Sequence, residues 1–501
     1  MKKRRLLSVL TTIVSLLALT VTWTLSPAVT HAQPATDPAD IPGVYHPANP
    51  HLYKEEIPRV KSSAHGDDRL LGPTRPHYRM NVSYDTNRHV ITGTMNVTFA
   101  NNLGFTLHDL YFNVWANARD FTEAGGGTQI QSVKVNGKPA VFSLNETALH
   151  ITGLNLPSNS RPEVQITFTV KVPNLQDRFG WYGTTVSLGN WFPILAVYDE
   201  EGWNTDPYFP YGESFYSLTG NFDVLFTTDR SQVVAATGTQ VGKTIFHKDS
   251  ATYHFRAQNV RDFAMELDPN YHVRQTSVGN VKINVYYTDR QAKYADAMLE
   301  AGRGSIALFS EKFGKYPWPE LDIVSMEGWF GGMEYPQLIM ISLTDNRTQE
   351  WVKSVTAHEI GHQWFYGIIG NNEYDEPWLD ESFATFAAAL YMNDLDELTT
   401  EPTKEEYYHV SSPVSTFTQH ADAGGIEAYY QMIYGYGSRT LNELRMELGD
   451  DTFYRAMHAW FRAKKFGVAT TRDFIRIMQQ TSGRDLHDFF VSHRVYVNDQ
   501  E

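Results

Sequence analysis

The pentapeptide HEIGH at residues 358–362 places two histidines four positions apart. Residues four apart lie one turn above each other on the same face of an α-helix, so the motif predicts a helix through His358 and His362. Glu381 follows after eighteen intervening residues, within WLDESFA at 378–384, which predicts a second helix continuing through Leu390. The spacing therefore predicts two adjacent helices that present two imidazoles and one carboxylate to each other.

This set of side chains is typical of a catalytic zinc site. Two imidazoles on one helix face can bind a single Zn²⁺, and a carboxylate from a second helix completes three protein ligands. The fourth position is then left for water, as in catalytic rather than structural zinc sites. Glu359, between the histidines, is predicted to point toward that metal-bound water. The alternative interpretation is a core helix that carries two histidines without any role in metal binding.

The composition limits which other sites the chain can form. Its 501 residues are 42% hydrophobic, 13% aromatic and 20% charged, which is typical of a folded protein with two or three domains. The chain has no cysteine, and this excludes disulfides, iron–sulfur clusters and thiolate zinc sites. Histidine and carboxylate side chains therefore remain as the strong metal ligands.

Residues 1–32 have the form of an export signal peptide. The basic start MKKRR is followed by an apolar run at 6–25, and THA at 30–32 has small residues where a signal peptidase cuts, so cleavage after Ala32 is expected. The alternative is a retained membrane anchor, because a run of about twenty apolar residues can span a bilayer. Either outcome predicts a bacterial, extracytoplasmic protein that is secreted or anchored at the cell surface.

The net charge argues against nucleic acid or an anionic membrane surface as a partner. The formal charge of the whole chain is −15, and removal of the four basic residues in the signal leaves 38 basic against 57 acidic residues. A body this acidic repels polyanions. Membrane contact is therefore expected only if the N-terminal segment is retained.

The hydrophobic period divides the remaining chain into two domains. Residues 33–76 are rich in Pro, His and Asp and are interpreted as a linker or lead-in. Residues 77–275 contain period-two segments, such as 91–99 and 164–172, separated by turn-rich spacers, which predicts an all-β domain of sandwich type. Residues 276–501 are predicted to form a mainly helical domain that contains the zinc motif.

Within residues 276–501 the apolar spacing lengthens to that of helices. Helices are predicted at 292–313, 352–366, 381–392, 438–448, 452–464 and 471–480, and strands at 281–287, 322–326 and 338–342. Thr471 is the expected N-cap of the last helix, and Gly483 falls just beyond its end.

Several landmarks occur in a family-specific order along residues 77–495. They are WFP at 191–193, VRDFA at 260–264, GGMEY at 331–335, the zinc motif with Glu381, and YGYG at 434–437. In this set the chain resembles the M1 family of zinc aminopeptidases (gluzincins). The resemblance implies an N-terminal β-sandwich saddle followed by a thermolysin-like, mainly helical zinc metallopeptidase domain. It also implies a short bacterial form that lacks the large C-terminal helical domain of many members.

The resemblance implies a chemical role for each residue of the motifs. Glu359 would deprotonate the zinc-bound water and later pass the proton to the leaving amine. Tyr434 would stabilise the oxyanion of the tetrahedral intermediate, with Tyr436 as its substitute if Tyr434 only packs. One Zn²⁺ per chain would be bound by His358, His362 and Glu381.

The GGMEY loop is expected to hold the substrate. By resemblance, Glu334 would pair with the free α-ammonium group of a peptide, with Gly332 and Met333 as further substrate-binding residues. A fixed anion selects free N-termini because a buried carboxylate left unpaired is costly, and an internal peptide segment cannot pair with it. The expected activity is therefore that of a zinc-dependent aminopeptidase, which removes N-terminal residues from peptides. The alternative interpretation of Glu334 is an ordinary surface carboxylate in a glycine-rich loop.

Histidines that bind zinc usually donate their second ring N–H to a carboxylate or a carbonyl. Four side chains near Glu381 are candidates for this orienting role, and the sequence does not distinguish among them. They are Asp375, Glu376, Asp380 and Thr385.

Two departures from the family pattern favour other functions. Tyr335 occupies the last position of the loop, where Asn is common in the family, and would alter backbone contacts to the substrate. Many members also place a second Gln or Glu before the Phe-Pro landmark to help hold the amine, but GTTVSLGN at 183–190 contains neither. With the open cleft of a short form, this leaves a zinc endopeptidase of the same fold as the alternative. A non-catalytic peptide-binding protein is the third alternative, and the intact Glu359 argues against it.

Overall fold

The computed structural model describes residues 75–344, 346–421 and 424–497, so the predicted export signal and nearly all of the predicted lead-in lie outside the described residues. Across these ranges a β-rich N-terminal region is followed by a region that is mainly helical. The hydrophobic periods predicted this order correctly. No helix within the described ranges is both long enough and apolar enough to cross a membrane.

Nine strands form the largest sheet of the β-rich region, which is antiparallel except where His77–Asp85 pairs with Gly220–Asp229. The strand order is Thr239–Gln240, Ser250–Val260, Gly220–Asp229, His77–Asp85, Val90–Thr98, Glu163–Lys171, Gly127–Val135 and Lys138–Pro139, with Ile245–Phe246 also beside Ser250–Val260. Buried and exposed residues alternate along His77–Asp85, so one face of the sheet packs on the core. The segments predicted at 91–99 and 164–172 are neighbouring strands of this sheet.

Smaller sheets complete the β-rich region. The first contains Val233–Ala236, Met265–Asp268, Thr185–Leu188 and Phe179–Tyr182, and the second contains Ile194–Leu195, Leu110–Asn113, Ala148–Thr152 and Val141–Asn145. A hairpin pairs Tyr198–Asp199 with Gly202–Trp203, and a short helix spans Arg119–Glu123. Buried apolar side chains of these sheets join one continuous cluster that extends into the helical region.

A five-stranded sheet opens the second region. Its order is His272–Val278, Val281–Tyr287, Glu320–Met326, Leu338–Ser342 and Gly332–Met333. The three central strands are parallel to one another, and they include all three strands predicted in this half. The edge strand Gly332–Met333 was not predicted, because two residues are too few to show a period.

The helices follow this sheet and contain most of the remaining chain. They are Ala295–Lys312, Gln349–Gly361, Trp378–Met392, Val414–Thr418, Gly425–Tyr429, Gly437–Leu448, Asp450–Lys464, Thr471–Ser482 and His487–Ser492, with a π-helix at Tyr430–Tyr436. Among the described residues, 3-10 turns lie at Trp115–Asn117, Asp289–Tyr294 and Leu395–Glu397. Each of the six predicted helices is present. The helix predicted at 352–366 ends earlier, at Gly361. Its predicted extension to residue 366 was wrong, and Tyr366 has a φ of 98°, outside the helical range.

The helix Thr471–Ser482 is capped one residue earlier than predicted. Thr470, not Thr471, is the N-cap, since its side chain accepts a hydrogen bond from the backbone N–H of Asp473. Asp473 lies three residues after Thr470 and completes a capping box, whereas Phe474, three residues after Thr471, cannot return a hydrogen bond. Gly483 ends the helix with a φ of 70°, as predicted.

A buried arginine joins the two regions beside the predicted site. Arg261 is 1% exposed and donates from Nε to the carbonyl of Tyr366 (2.8 Å) and from Nη1 to that of Ser217 (2.6 Å). Its Nη2 donates to the carbonyl of Gly467. The β-rich region is therefore hydrogen-bonded directly to backbone that follows the first zinc-motif helix.

Candidate active site

The two predicted ligand helices pack closely because a glycine lies between them. The N-cap of the helix Gln349–Gly361 is Thr348, whose side chain accepts a hydrogen bond from the backbone N–H of Trp351 (3.0 Å). A Cβ added to Gly361 would lie 3.0 Å from the Cα of Ala384 on the helix Trp378–Met392. A larger residue at 361 would push this helix away, and with it Glu381.

The two helices bring His358, His362 and Glu381 together. The Nε2 atoms of His358 and His362 are 3.1 Å apart. The Oε2 atom of Glu381 lies 3.2 Å from the former and 3.3 Å from the latter. All three side chains are largely buried, at 15%, 1% and 6% exposure. The three donor atoms thus form a nearly equilateral triangle.

The triangle matches the coordination geometry of zinc. A tetrahedral Zn²⁺ with ligand bonds of 2.0–2.1 Å separates its ligand atoms by about 3.4 Å. Two imidazole nitrogens and one carboxylate oxygen are also ligand types that zinc prefers, and they leave one tetrahedral position for another molecule. These residues therefore fit a catalytic zinc ion.

The protonation states of the ligands also suit a cation. Burial lowers the pKa of His358, which keeps its imidazole neutral. Burial alone would raise the pKa of Glu381, but the imidazoles of His362 and His358 lower it. For His362, the carboxylates of Glu334 and Glu381 outweigh burial and raise the pKa. Surroundings that favour a proton on His362 in this way favour a metal cation as well.

The second ring nitrogens have partners, although only one is a predicted candidate. Nδ1 of His362 lies 3.3 Å from the carbonyl of Phe365, and Nδ1 of His358 lies 3.5 Å from the hydroxyl of Thr385. A hydrogen bond from Nδ1–H of His362 leaves Nε2 free to bind metal. Thr385 was predicted, whereas a backbone carbonyl has no sequence signal.

The other three candidates accept hydrogen bonds elsewhere. Asp380 accepts from Asn371 Nδ2 (2.9 Å) and from the backbone N–H of Glu381 (2.6 Å). Asp375 accepts from the side chain of Asn372 (2.6 Å), and Glu376 accepts from the backbone N–H of Thr471 (2.7 Å). Their contacts hold the loop before the helix Trp378–Met392, and so act on the position of Glu381.

Glu359 lies beside the edge strand Gly332–Met333. It is 4% exposed, and a Cβ added to Gly332 would lie 2.4 Å from its Oε1 atom. Only glycine fits at 332 with Glu359 in this position. Burial, and next the carboxylate of Glu334, raise the pKa of Glu359 well above its ordinary value. A carboxylate that readily takes up a proton is suited to act as a general base.

The edge strand also positions the predicted substrate-binding residues. Glu334 is 3% exposed, and its carboxylate lies within 4.8 Å of donor atoms of Glu359 and His362. The ligand residues, Glu359 and Glu334 line one cavity. Gly332 lines this cavity as well, whereas Met333 is 1% exposed and does not line it. The hydroxyl of Tyr335 is hydrogen-bonded to Asn190 of the β-rich region. Tyr335 therefore joins the two regions.

The tyrosine-rich segment forms the π-helix Tyr430–Tyr436, a distortion that is frequent at functional sites. The hydroxyl of Tyr434 donates to Oε1 of Glu381, and its ring stacks on that of His358 at 6.0 Å. The ring of Tyr436 instead lies 6.4 Å from that of His493, outside the cavity. Of the two candidate tyrosines, the structure brings Tyr434 to the ligands.

The cavity has a second wall, from the β-rich region, that the sequence did not indicate. Arg178, Tyr211 and Glu213 line it together with Glu334 and the ligand residues. Arg178 Nη1 donates to Glu213 Oε1 at 2.8 Å, and the two residues are only 3% and 8% exposed. Burial raises the pKa of Glu213 well above its ordinary value, although Arg178 opposes this effect. A buried ion pair that borders a cavity has no period or spacing by which to recognise it.

Residues 297–493 match the model of the Peptidase family M1 domain. This segment is therefore an M1 peptidase domain. The matched segment contains the ligand triangle, Glu359, Glu334 and Tyr434. It excludes Arg178 and Glu213, which lie in the β-rich region.

Curated relatives of this chain are longer than it is. Aminopeptidase N of Lactobacillus helveticus is 23% identical over 445 residues, which cover 82% of this chain and 49% of the relative. Aminopeptidase M1-D of Oryza sativa subsp. japonica is 25% identical over 240 residues, covering 43% of this chain and 27% of the relative. The chain thus spans about a quarter to a half of the length of these relatives.

The crystal structure of an M1 zinc metallopeptidase from Deinococcus radiodurans has a similar fold. The two superpose with a TM-score of 0.61 at 16% sequence identity, over 85% of this chain and 95% of that one. At this identity the similarity establishes a shared architecture. It includes the β-rich region, in agreement with the fold that the family landmarks implied.

Proposed function

We propose that this chain is a zinc-dependent aminopeptidase, which hydrolyses the N-terminal residue from peptides with a free α-amino group. The observation that carries this proposal is the triangle of donor atoms, 3.1–3.3 Å apart, in one cavity with Glu359 and Glu334. One Zn²⁺ per chain is held by His358, His362 and Glu381. An extracytoplasmic location, from the signal-like residues 1–32, is part of the proposal.

The side chains divide the chemistry of hydrolysis among them. A bound zinc ion supplies Lewis acidity, which acidifies a water molecule and polarises the scissile carbonyl. Glu359 takes the proton from the attacking water on a carboxylate oxygen and later delivers it to the leaving amine. Tyr434 donates its hydroxyl hydrogen to the oxyanion that develops on the carbonyl. Its present acceptor, Oε1 of Glu381, keeps the hydroxyl directed toward the ligand triangle.

The choice of an aminopeptidase over an endopeptidase follows from Glu334. This carboxylate is 3% exposed and adjoins Glu359 and His362, so it is desolvated beside the reacting groups. A substrate ammonium group neutralises it, whereas an internal peptide segment leaves it unpaired at a cost of about 1–3 kcal/mol or more. Free N-termini are therefore selected at the position next to the scissile bond.

Relatives support the same activity. The curated relatives are named aminopeptidases, and one solved M1 zinc metallopeptidase from Deinococcus radiodurans, with a TM-score of 0.58, is a variant bound to a Tyr-Ser-Ala substrate. The substrate proposed for this chain is likewise a peptide.

The test uses one decapeptide, prepared with a free and with an acetylated N-terminus. Each form is incubated with the zinc-loaded protein, with and without a chelator, and the products are identified by mass spectrometry. We expect stepwise loss of N-terminal residues from the free peptide alone, and no reaction with chelator. Internal cuts in both peptides would make the protein an endopeptidase. No cleavage of either would favour a peptide-binding protein.

A further inference from the structure

The π-helix Tyr430–Tyr436 requires support from its neighbours, because π-helices are rare and mostly limited to single turns within α-helices. On its inner side, Ser382 Oγ donates to the carbonyl of Ile433 at 2.5 Å. A Cβ added to Gly437 would lie 2.0 Å from the same hydroxyl oxygen. Since Ser382 directly follows Glu381, this inner contact joins the π-helix to the second ligand helix.

The outer side of the π-helix is contacted by residues 400–412, which we call the outer loop. A Cβ added to Gly435 would lie 2.6 Å from the side chain of Thr400. Gln431 Nε2 donates to the carbonyl of Glu401 at 2.9 Å. The π-helix therefore lies between the second ligand helix and the outer loop, and its register depends on both.

Arg439 joins the outer loop to the helix that follows the π-helix. Its Nη1 donates to the carbonyl of Thr400 at 3.2 Å and pairs with Oε1 of Glu401 at 2.7 Å. Its Nε pairs with Oε1 of Glu443 at 2.7 Å, and Oε2 of Glu443 lies 2.7 Å from Nε2 of His493. The contacts of the outer loop thus extend to the chain around residue 493.

Arg494, the next residue, binds the outer loop at several points. Its Nη1 donates to the carbonyls of Thr403 (3.1 Å), Glu405 (3.1 Å) and Tyr408 (3.4 Å). Its own carbonyl accepts from the backbone N–H of Val410 at 2.9 Å. Arg494 also has a φ of 54°, a left-handed conformation that surrounding contacts must fix. The position of the outer loop therefore depends strongly on this one residue.

We propose that Arg494 is a positioning residue for Tyr434. Arg494 does not line the cavity. It holds the outer loop against the π-helix, and the π-helix in turn holds the hydroxyl of Tyr434 at the ligand triangle. The inference rests on the proposed aminopeptidase function and adds a dependence of that reaction on a residue outside its cavity. Loss of the guanidinium displaces the hydroxyl from the developing oxyanion but leaves the metal ligands in place.

The first measurement tests whether the effect of Arg494 passes through Tyr434. kcat and KM on a free-amine peptide are measured for the zinc-loaded full chain as wild type, Arg494→Gln, Tyr434→Phe and the double variant. Arg484→Gln is the matched control, because Arg484 also donates to a backbone carbonyl, that of Glu447 at 2.8 Å, away from the outer loop. Zinc content is measured for every variant.

We expect Arg494→Gln to lower kcat by about tenfold with little change in KM or zinc content, since the hydroxyl is displaced rather than removed. In the Tyr434→Phe protein the same substitution should change kcat by less than about twofold, because no hydroxyl is left to position. Arg484→Gln should match the wild type. An equal loss in both backgrounds, or no loss in the wild-type background, would overturn the inference.

The second measurement is independent of turnover. Hydrogen–deuterium exchange, followed by mass spectrometry, reports how readily the backbone amides of a segment open to solvent. Arg494→Gln should accelerate exchange at 430–436 and in the outer loop, and should leave residues 378–392 of the second ligand helix as in the wild type. Unaltered exchange at 430–436 in the folded, zinc-loaded variant would remove Arg494 from its positioning role.

Together the measurements separate the inference from the proposed function. A wild type that cleaves no peptide would disprove the aminopeptidase, whereas the exchange data would still decide whether Arg494 holds the π-helix. If Arg494→Gln fails to fold, Thr400→Ala tests the same support, because it removes the side-chain atoms that abut Gly435. This variant should lower kcat only while the hydroxyl of Tyr434 is present. A loss of the same size in both backgrounds, or none in either, would contradict the inference.

Discussion

The metal side and the substrate side of the cavity are assembled in different ways. His358 and Glu381 are 23 positions apart, on two helices of one region that pack through Gly361. Glu213 and Glu334 are more than a hundred positions apart and come from different regions. The metal side therefore depends on local helix geometry, whereas the substrate side depends on how the two regions dock. Changes on the two sides should be separable by experiment.

Loss of a metal ligand should have the largest effect and should be confined to the metal side. We expect Glu381→Ala to reduce zinc content well below one ion per chain and turnover to background, since two histidines alone bind zinc weakly. Metal analysis and kcat are measured together. Glu443→Gln is the control, because Glu443 pairs with His493 and Arg439 outside the cavity. A variant at position 381 that retained one zinc per chain would remove Glu381 from the ligand set.

Glu359→Gln should reduce turnover without reducing zinc content, which would distinguish a general base from a metal ligand. The amide keeps the size of the side chain beside Gly332 but cannot accept a proton from water, so kcat should fall by about 10³-fold. Zinc content should remain at one per chain. The measurement is kcat on a free-amine peptide, together with metal analysis. Activity within a factor of about ten of the wild type would require another base.

Tyr434→Phe should show whether the hydroxyl of this π-helix residue takes part in the reaction. Loss of a hydrogen bond to the oxyanion is expected to reduce kcat by about 10²-fold with little change in KM. Tyr436→Phe is the matched control from the same segment, and should retain full activity because its ring lies near His493. Equal losses in the two variants would indicate that the hydroxyls support the helix rather than the reaction.

Glu266→Gln should change stability without touching the site. Burial raises the pKa of Glu266 to about 8. Because this folded-state pKa lies above the ordinary value of 4.5, the stabilisation is fully present below about pH 4.5 and is lost as pH rises through about 8. The wild type should therefore lose stability relative to Glu266→Gln between about pH 5 and about pH 9, by up to a few kcal/mol. The free energy of unfolding of both proteins is measured by urea denaturation at about pH 5 and at about pH 9. A difference that does not vary with pH would contradict the assignment.

Features carried by short-range spacing could be predicted from the sequence. The histidines follow from helix geometry, and their second helix follows from a local apolar pattern at 378–384. The same holds for strands such as Val281–Tyr287, which occupies the predicted residues. In each case the physical cause, one helix turn or one pleat, lies within a few residues.

Features that require two distant segments to meet could not be predicted in this way. The ion pair of Arg178 with Glu213 and the contact of Tyr335 with Asn190 are products of docking. The orienting carbonyl of Phe365 was missed for another reason, because every residue has a carbonyl and none is distinctive. The tyrosine segment lay between these cases, because YGYG at 434–437 was a recognisable landmark, whereas no helix was predicted before residue 438. The π-helix Tyr430–Tyr436, which places the hydroxyl of Tyr434 on Glu381, was therefore missed.

Arg261 has a consequence for attempts to recombine such proteins. Its guanidinium satisfies carbonyls of Tyr366 and Gly467, both in the helical region, from a strand end in the β-rich region. In a chimera that joined the helical region to an unrelated domain, the carbonyls of Tyr366 and Gly467 would lose this hydrogen-bond donor. Tyr366 lies in the loop that follows His362, so the loss would occur next to a metal ligand. The helical region is therefore not independent of the β-rich region, and a chimera would have to include Arg261.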